Sequence, residues 1–517
     1  MLCSVTVGES FWPAVLPALA GSGCLALLVE RLLEPPPLAC WRRPAAALAI
    51  HFGLWLWLSS VLLLLLQRPV FAASSLLAGF LFVVLVSNAK VHSLHEPFIF
   101  QDFEYFSDAL RHPRLYMPFF GAVRAFLSLL ALGLAIAAGL TIEDSLLGRL
   151  SVGEFLAGAA TLALGGLLLL WYGARRRLAV AFDPTADLRQ LGLLTALWRY
   201  GEEEHARCPA RSPYEQPASS PEPGAGLTTL VVVQSESFFD ARRLFSGIRR
   251  DLLGEFDSLR SSAACHGPLQ VAAWGANTVR TEFSFLSGLA AESLGVHRFN
   301  PYRRVARQGV ATIATFLKRL GYRTICVHPY AASFYSRNVV FPRLGFDEFI
   351  DIAAFAGAAR DGPYVGDLAV AEYVADLLAG SAGEPLFVFV ITMENHGPLH
   401  LEEVAPGDGE RLYSASPPPG CEDLTIYLRH LVNADRMAGR LRAAIDRLPG
   451  PACLCWFGDH VPIMPGPYRA LGVPDGRTDY LIWRKGDRPR VAVPRELRID
   501  ELGSQVLQQI GLLPARG

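Results

Sequence analysis

Charge is scarce in this chain. Only 18% of its 517 residues are Asp, Glu, Lys or Arg, against about a quarter in an ordinary soluble domain. There is no excess of either sign: 47 Lys and Arg stand against 48 Asp and Glu, a formal net charge of -1. That balance excludes a general nucleic-acid-binding protein, which needs a basic surface. Cysteine is sparse too. The nine cysteines are dispersed and form neither a zinc-finger spacing nor a dense disulfide framework. The 46 Gly and 36 Pro are ordinary amounts, which excludes collagen-like repeats and long disorder. With 51% hydrophobic residues and a mean hydropathy of +0.29, the chain is too apolar to be wholly soluble. It is also too long and varied to be a membrane bundle alone.

The hydrophobicity is concentrated in the first third. Five apolar runs lie at 11–29, 45–66, 69–87, 125–142 and 155–173, each long enough as a helix to cross ~30 Å of hydrocarbon. The second holds Leu54-Trp55-Leu56-Trp57-Leu58 and then Leu62 to Leu66 unbroken. A soluble helix has no need to be apolar on every face. The first run lacks a basic leader and more runs follow it, which excludes a cleavable signal peptide. Residues 1–177 therefore read as a five-helix transmembrane domain. Between the third and fourth runs, Asn88 to Pro118 mixes charges with Phe98, Phe100, Phe103, Tyr105 and Phe106. It reads as an interfacial segment at headgroup level, with a plain connecting loop as the alternative. Basic residues gather after the first run (Arg31, Arg42, Arg43), the third (Lys90, Arg111, Arg114) and the fifth (Arg175, Arg176, Arg177). Taken literally, the positive-inside bias would put the C-terminal half in the cytoplasm.

Residues 178–226 read as an amphipathic segment followed by a linker, because the stretch from Gly201 to Gly226 is rich in Pro, Ser, Ala and Glu. From Leu227 the texture changes. Thr229–Val233, Arg323–Val327, Leu386–Ile391 and Ala452–Trp456 are mainly apolar runs of buried-strand type. Helical patterns such as Val310–Leu320 and Thr425–Leu448 separate them. That alternation predicts a parallel sheet covered on both faces, in one α/β domain over 227–517. Polar groups follow the strands directly: Glu236 after the first, His328 after the second, His396 after the third, Asp459 and His460 after the fourth. Ligands of open α/β sheets bind at the carboxyl ends of strands, so these five are expected to face one crevice. Carboxylate oxygen and imidazole nitrogen are ordinary ligands for a divalent metal. The residues alone thus predict a metal-centred hydrolytic or transfer site and name no nucleophile.

The segment Gly275-Ala276-Asn277-Thr278-Val279-Arg280-Thr281-Glu282-Phe283 resembles the nucleophile region of the lipoteichoic-acid synthase and phosphoglycerol transferase family. That family is a sulfatase-like branch of the alkaline phosphatase superfamily. Further matches follow in family order: Glu236, Phe334-Tyr335-Ser336-Arg337, Leu344-Gly345-Phe346-Asp347, Gly362 to Asp367, His396 before Gly397-Pro398, and Gly458-Asp459-His460. Membrane runs ahead of the catalytic domain match as well. Val279 and Arg280 stand where the synthases have polar residues, and Tyr335 stands where Trp is common. These departures imply a relative with a different acceptor.

The resemblance implies a metal-dependent phosphotransferase with Thr278 as nucleophile and Glu236, Thr278, Asp459 and His460 as metal ligands. Arg337, His396 and Tyr335 would bind substrate. The cofactor would be one divalent ion, Mn²⁺ first, with Mg²⁺ or Zn²⁺ as alternatives. The partners would be phosphatidylglycerol or a similar phospholipid donor, an envelope glycan or polymer as acceptor, and the membrane, with no nucleic acid. The location would be the inner, cytoplasmic membrane as a multi-pass protein, its catalytic domain periplasmic or extracellular, against the basic-loop bias. A phosphoethanolamine transferase and a non-catalytic scaffold stay open as alternatives, and Thr278 could instead be a plain helix N-cap. A formylglycine sulfatase is excluded, because its Cys-containing signature is absent.

Overall fold

A computed structural model describes residues 10–104, 122–208, 210–216, 227–381, 383–488 and 493–514. The chain divides into two compact units, Met1–Ala206 and Arg207–Gly517.

The first unit is built on long apolar helices. Four of them, α1 (Phe11–Val29), α2 (Ala45–Leu66), α3 (Pro69–Leu94) and α5 (Val152–Arg175), are long and apolar enough to cross a membrane. The remaining run lies on α4 (Ala122–Ile142). The path follows from local contacts. Glu143, just past α4, accepts hydrogen bonds from the N–H groups of Val70 (2.9 Å) and Phe71 (2.7 Å) at the start of α3. The Leu146 N–H donates to the Gln67 carbonyl oxygen at the end of α2 (2.8 Å). The ends of α2 and α4 and the starts of α3 and α5 therefore share one face. α2 and α5 meet glycine to glycine. A Cβ on Gly53 would lie 2.9 Å from the Gly166 carbonyl oxygen, and one on Gly166 2.8 Å from that of Gly53. Backbones that approach this closely gain the packing that drives helix association in lipid.

Asn88–Pro118 differs from the expected interfacial segment. Helix α3 continues through Leu94, and Phe98 and Ile99 are buried. Lys90 is held 2.6 Å from both Glu96 and Asp102 rather than lying free among headgroups. Two acids within reach of one ammonium let the helix run on past its first charge. Residues 105–118 of that expectation lie outside the described residues. Two short helices, α6 (Pro184–Leu191) and α7 (Leu193–Glu203), follow the bundle.

The second unit is a sheet of eight strands in the order β10-β2-β9-β8-β1-β7-β3-β4, plus a two-residue hairpin, β5–β6 (Arg360–Asp361 and Tyr364–Val365). The four strands expected from sequence form its centre: β8 (Ala452–Gly458), β1 (Thr229–Ser235), β7 (Leu386–Ile391) and β3 (Arg323–Val327), all parallel. The flanking strands were not expected: β2 (Cys265–Gln270), β4 (Glu348–Ile350), β9 (Thr478–Arg484) and β10 (Leu497–Arg498). β9 runs antiparallel to both β8 and β2. Successive residues of a strand point to opposite faces, so Val231 and Val233 enter one core while Leu230 and Val232 enter the other. Cys453 and Cys455 both enter the second core, as their i, i+2 spacing on a strand requires. The stretch expected as a linker contributes Tyr214, fully buried against Phe316. Residues 217–226 of it lie outside the described residues.

Candidate metal and nucleophile site

Register places the first two groups. β1 and β8 pair in parallel with Ser235 opposite Gly458, so the next residue of each strand, Glu236 and Asp459, leaves the sheet at the same level. The strands then turn sharply. The Ser237 N–H donates to Asp459 Oδ1 (2.8 Å), and the Glu236 N–H donates to Thr392 Oγ1 at the end of β7 (2.9 Å). Gly458 is required here by close approach, since a Cβ would lie 1.8 Å from the Phe238 carbonyl oxygen. His460 then lies with Nε2 at 3.3 Å from Asp459 Oδ2 and 3.6 Å from Glu236 Oε1. Its other nitrogen, Nδ1, is 3.1 Å from the Val461 carbonyl oxygen. A proton on Nδ1 is satisfied there, which leaves the Nε2 lone pair directed at the two carboxylates.

Thr278 enters from the other side. It is the first residue of α8 (Thr278–Ser287), and the N-cap position belongs to Asn277, which takes a left-handed conformation (φ 66°). The Thr278 side chain is thus not spent on capping, and its Oγ1 lies 3.5 Å from His460 Nε2. α8 is pinned against β8 by Thr281, whose hydroxyl donates to the Asp459 carbonyl oxygen (2.9 Å).

The donor set fits a divalent cation. Ligand atoms of Glu236, Asp459 and His460 lie within 4.8 Å of one another, and all three residues are buried. Asp459 Oδ2 is buried with no hydrogen-bond donor. Burial first, and the neighbouring Asp459 second, push the Glu236 carboxyl up to about 8. The Ser237 hydroxyl donates to Glu236 Oε1 (2.9 Å), but two buried carboxylates and an imidazole lone pair, with Asp459 Oδ2 left without a donor, suit a positive ion.

The remaining expected residues stand around this cluster. Arg337, which opens α9 (Arg337–Arg343), is 1% exposed. Its Nη2 and Nε donate to Glu282 (2.9 and 3.2 Å), and its Nη1 lies 3.1 Å from His328 Nε2. His328 is a correction to the expected crevice. It is buried behind Arg337 with Nδ1 3.2 Å from the Ile391 carbonyl oxygen, and burial, with the Arg337 charge second, holds its pKa well below the usual value. His328 follows its strand as the others do, but β3 lies beyond β7 from the cluster. Tyr335 stacks below the Arg337 guanidinium (5.3 Å). Tyr335 and Ser336 both hold positive φ (54° each), a conformation that costs a bulky L-residue about 1–2 kcal/mol. His396 has Nδ1 3.3 Å from the Tyr364 hydroxyl, and burial lowers its pKa, which favours the neutral ring.

Two groups of residues escaped the sequence reading. Glu282, one helical turn after Thr278, binds Arg337 and accepts from Tyr302 and from Gln234 Nε2 (3.3 Å). It stood in the quoted motif without a role. Glu394 accepts from His430 Nδ1 (2.8 Å), Asn433 Nδ2 (2.7 Å) and the Asp367 N–H (2.6 Å). It thereby ties the loop carrying His396 to α10 (Glu422–Asp446). Nothing in a single sequence marks His430 within a long amphipathic helix.

Residues 228–512 match the family described as Sulfatase. A capsular polysaccharide biosynthesis protein, RkpI, of Rhizobium meliloti (strain 1021) is 29% identical over 433 residues, covering 80% of this chain and 77% of that protein. Among solved structures, the integral membrane lipooligosaccharide phosphoethanolamine transferase A (EptA) of Neisseria meningitidis aligns with a TM-score of 0.55 at 12% identity, covering 96% of both chains. The Streptococcus pyogenes phosphoglycerol transferase GacH, in complex with sn-glycerol-1-phosphate, aligns with a TM-score of 0.46 at 23% identity, covering 54% of this chain and 74% of that one.

Proposed function

The chain belongs to the sulfatase family, within the alkaline phosphatase superfamily, and from that premise we propose that it is a membrane-bound phosphoglycerol transferase. It moves a glycerol-phosphate group from phosphatidylglycerol to an envelope glycan or polymer through a covalent Thr278 intermediate. The observation that carries the transfer chemistry is the Thr278 hydroxyl 3.5 Å from His460 Nε2, inside the Glu236–Asp459–His460 cluster. The acceptor class is supported by the relative named for capsular polysaccharide biosynthesis. The donor class rests on the motif resemblance.

In this reading Glu236, Asp459, His460 and Thr278 hold one divalent ion, Mn²⁺ first. Such an ion, when bound, lowers the pKa of a hydroxyl and neutralises charge on phosphoryl oxygens. Thr278 Oγ1 attacks the phosphorus of the donor. The bond from phosphorus to the diacylglycerol oxygen breaks, and diacylglycerol leaves with the proton that the threonine hydroxyl gave up. The acceptor hydroxyl then attacks the phosphoglyceryl-Thr278 ester and restores the free threonine. His396, neutral and partly buried, and Arg337 orient the phosphoglycerol, with the Tyr335 ring beside them.

The non-catalytic alternative requires a missing ligand or nucleophile, and all four residues are in place. Against the phosphoethanolamine alternative, eight cysteines are free among the described residues, whereas those transferases usually carry several disulfides. Five passes through the bundle set the start of α1 and the end of α5 on opposite faces. With the N-terminus inside, residues 227–517 lie in the periplasm or outside the cell. The deciding experiment incubates membranes containing the protein with labelled phosphatidylglycerol and candidate glycans. Mass spectrometry is expected to find glycerol phosphate on a glycan, with diacylglycerol released in equal amount. Diacylglycerol-free reactions, or a transferred ethanolamine phosphate from the corresponding lipid, would refute the donor.

A further inference from the structure

Six exposed arginines gather on one surface of the membrane unit. Arg31 follows α1, Arg42 precedes α2, Arg175, Arg176 and Arg177 end α5, and Arg189 lies on α6; all six are exposed. They share one face. α5 starts beside the end of α2, so it ends at the opposite face, where α1 ends and α2 begins. The Leu38 N–H donates to the Arg189 carbonyl oxygen (2.7 Å), which fastens α6 to the same loop.

Most acids of that face are engaged, while the exposed Asp183 accepts only the Thr185 and Ala186 N–H groups (3.0 Å each) at the start of α6. Glu30 pairs with Arg43 at 2.5 Å, Glu96 and Asp102 pair with Lys90, and Glu202 and Glu203 pair with Arg199. Asp187 accepts from the Tyr200 hydroxyl (2.8 Å) and the Ala181 N–H (3.0 Å). Glu34 lies 3.5 Å from His92. None of the six arginines has an ion-pair partner among the described residues. The opposite face is mixed in sign, with Arg149 paired to Asp144 at 2.8 Å and Glu143 and Glu154 nearby in sequence.

Aromatic rings set the depth of this collar. The Arg175 guanidinium lies 4.3 Å over the Trp171 ring and that of Arg176 5.2 Å over Tyr172. Trp171 and Tyr172 are themselves exposed, and Trp41 beside Arg42 is 81% exposed. Trp and Tyr at the end of an apolar helix mark the boundary between hydrocarbon and headgroups, and long basic side chains reach from there into the headgroup layer. We propose that this face binds the headgroups of anionic phospholipids and enriches them around the protein. The enrichment requires only phosphates in a bilayer and guanidinium groups without an acid partner at their depth; Arg31 also donates to the Pro37 carbonyl oxygen. Its use, supplying phosphatidylglycerol to a transferase, rests on the function proposed above; the binding itself does not.

The test reconstitutes the full chain, kept metal-free with a chelator to prevent turnover, in phosphatidylcholine vesicles. A trace of spin-labelled phosphatidylglycerol, phosphatidylserine or phosphatidylcholine is added, and the motionally restricted fraction of each label is measured. Both anionic lipids are expected to be preferred over phosphatidylcholine by about fivefold at low salt, the factor that one basic residue contributes, with the preference falling as salt is added. The combined variants R175Q/R176Q/R177Q and R31Q/R42Q/R189Q should each reduce that preference toward unity. The matching lysine variants, which keep the charge, should retain it and control for folding. Equal restriction of all three lipids in the wild type would overturn the proposal. So would a preference unchanged in the glutamine variants, or one confined to phosphatidylglycerol. No lipid preference in the wild type, together with binding of a soluble anionic polysaccharide in detergent that the glutamine variants lose, would assign the face to that polymer instead. An intact anionic preference with no diacylglycerol released once metal is restored would refute the donor assignment and leave the collar standing.

Discussion

Replacing Glu282 by Gln tests how the site is held together. Glu282 is fully buried and Arg337 is 1% exposed, and two charge-assisted hydrogen bonds of 2.9 and 3.2 Å join them. Glu282→Gln keeps the shape and removes the charge, which leaves a guanidinium that cannot shed its proton. Breaking a buried pair from one side costs about 3–5 kcal/mol. At about 2 °C per kcal/mol for a unit of this size, the melting temperature should fall by about 6–10 °C. Arg337→Met breaks the same pair from the other side, but Glu282 keeps the Gln234 Nε2 donor (3.3 Å) and the Tyr302 hydroxyl. The double variant Glu282→Gln, Arg337→Met removes both charges and should lose less than the sum of the two single losses. Thermal unfolding of the full-length protein in detergent, followed by near-UV circular dichroism, measures all three. A Glu282→Gln variant that melts within about 2 °C of wild type, or a double variant whose loss equals the sum of the single losses, would refute the reasoning.

Thr278→Ala should abolish transfer while moving the unfolding midpoint by less than about 1 kcal/mol, since its hydroxyl makes one long contact; turnover at the wild-type rate in detergent with metal present would exclude Thr278 as nucleophile. A Glu236→Ala, Asp459→Ala double variant should lose its metal along with its activity, and full occupancy by elemental analysis would break the ligand assignment. Burial opposes the charge on His430, but its hydrogen bonds to Glu394 and Glu402 prevail and lift its pKa to about 9. That raised value means stability held below about pH 6.5 and lost by pH 9, on the order of 3 kcal/mol. Unfolding midpoints should fall across that window in wild type and stay flat in His430→Gln, and a flat wild type would contradict it. Alkaline phosphatase fused after Gly517 should be active, and fluorescence from a cytoplasm-only reporter at the same point would reverse the proposed sidedness.

Periodicity and burial made the framework legible without coordinates. The central strands β8, β1, β7 and β3 carry apolar stretches such as Leu230–Val233 and Leu386–Ile391, as strands buried on both faces do, with polar residues such as Thr324, Gln234 and Ser235 toward their ends. The membrane helices were equally plain, because hydrocarbon tolerates apolar side chains on every side. Glu236, Asp459 and His460 could be chosen because each follows such a strand directly, and strand ends converge in a parallel sheet. β2, β4, β9 and β10 could not be seen, since flanking strands are short or mixed in composition and take their identity from the neighbour they pair with. The partnership of Glu282 with Arg337, 55 residues apart, and the placing of His328 behind Arg337 rather than among the ligands were decided only by the fold. So was the binding of Glu394 by His430. Local sequence sets how a segment is periodic and what it can bury, but which charges neutralise one another is settled by distances that exist only once the sheet has closed and water has been excluded.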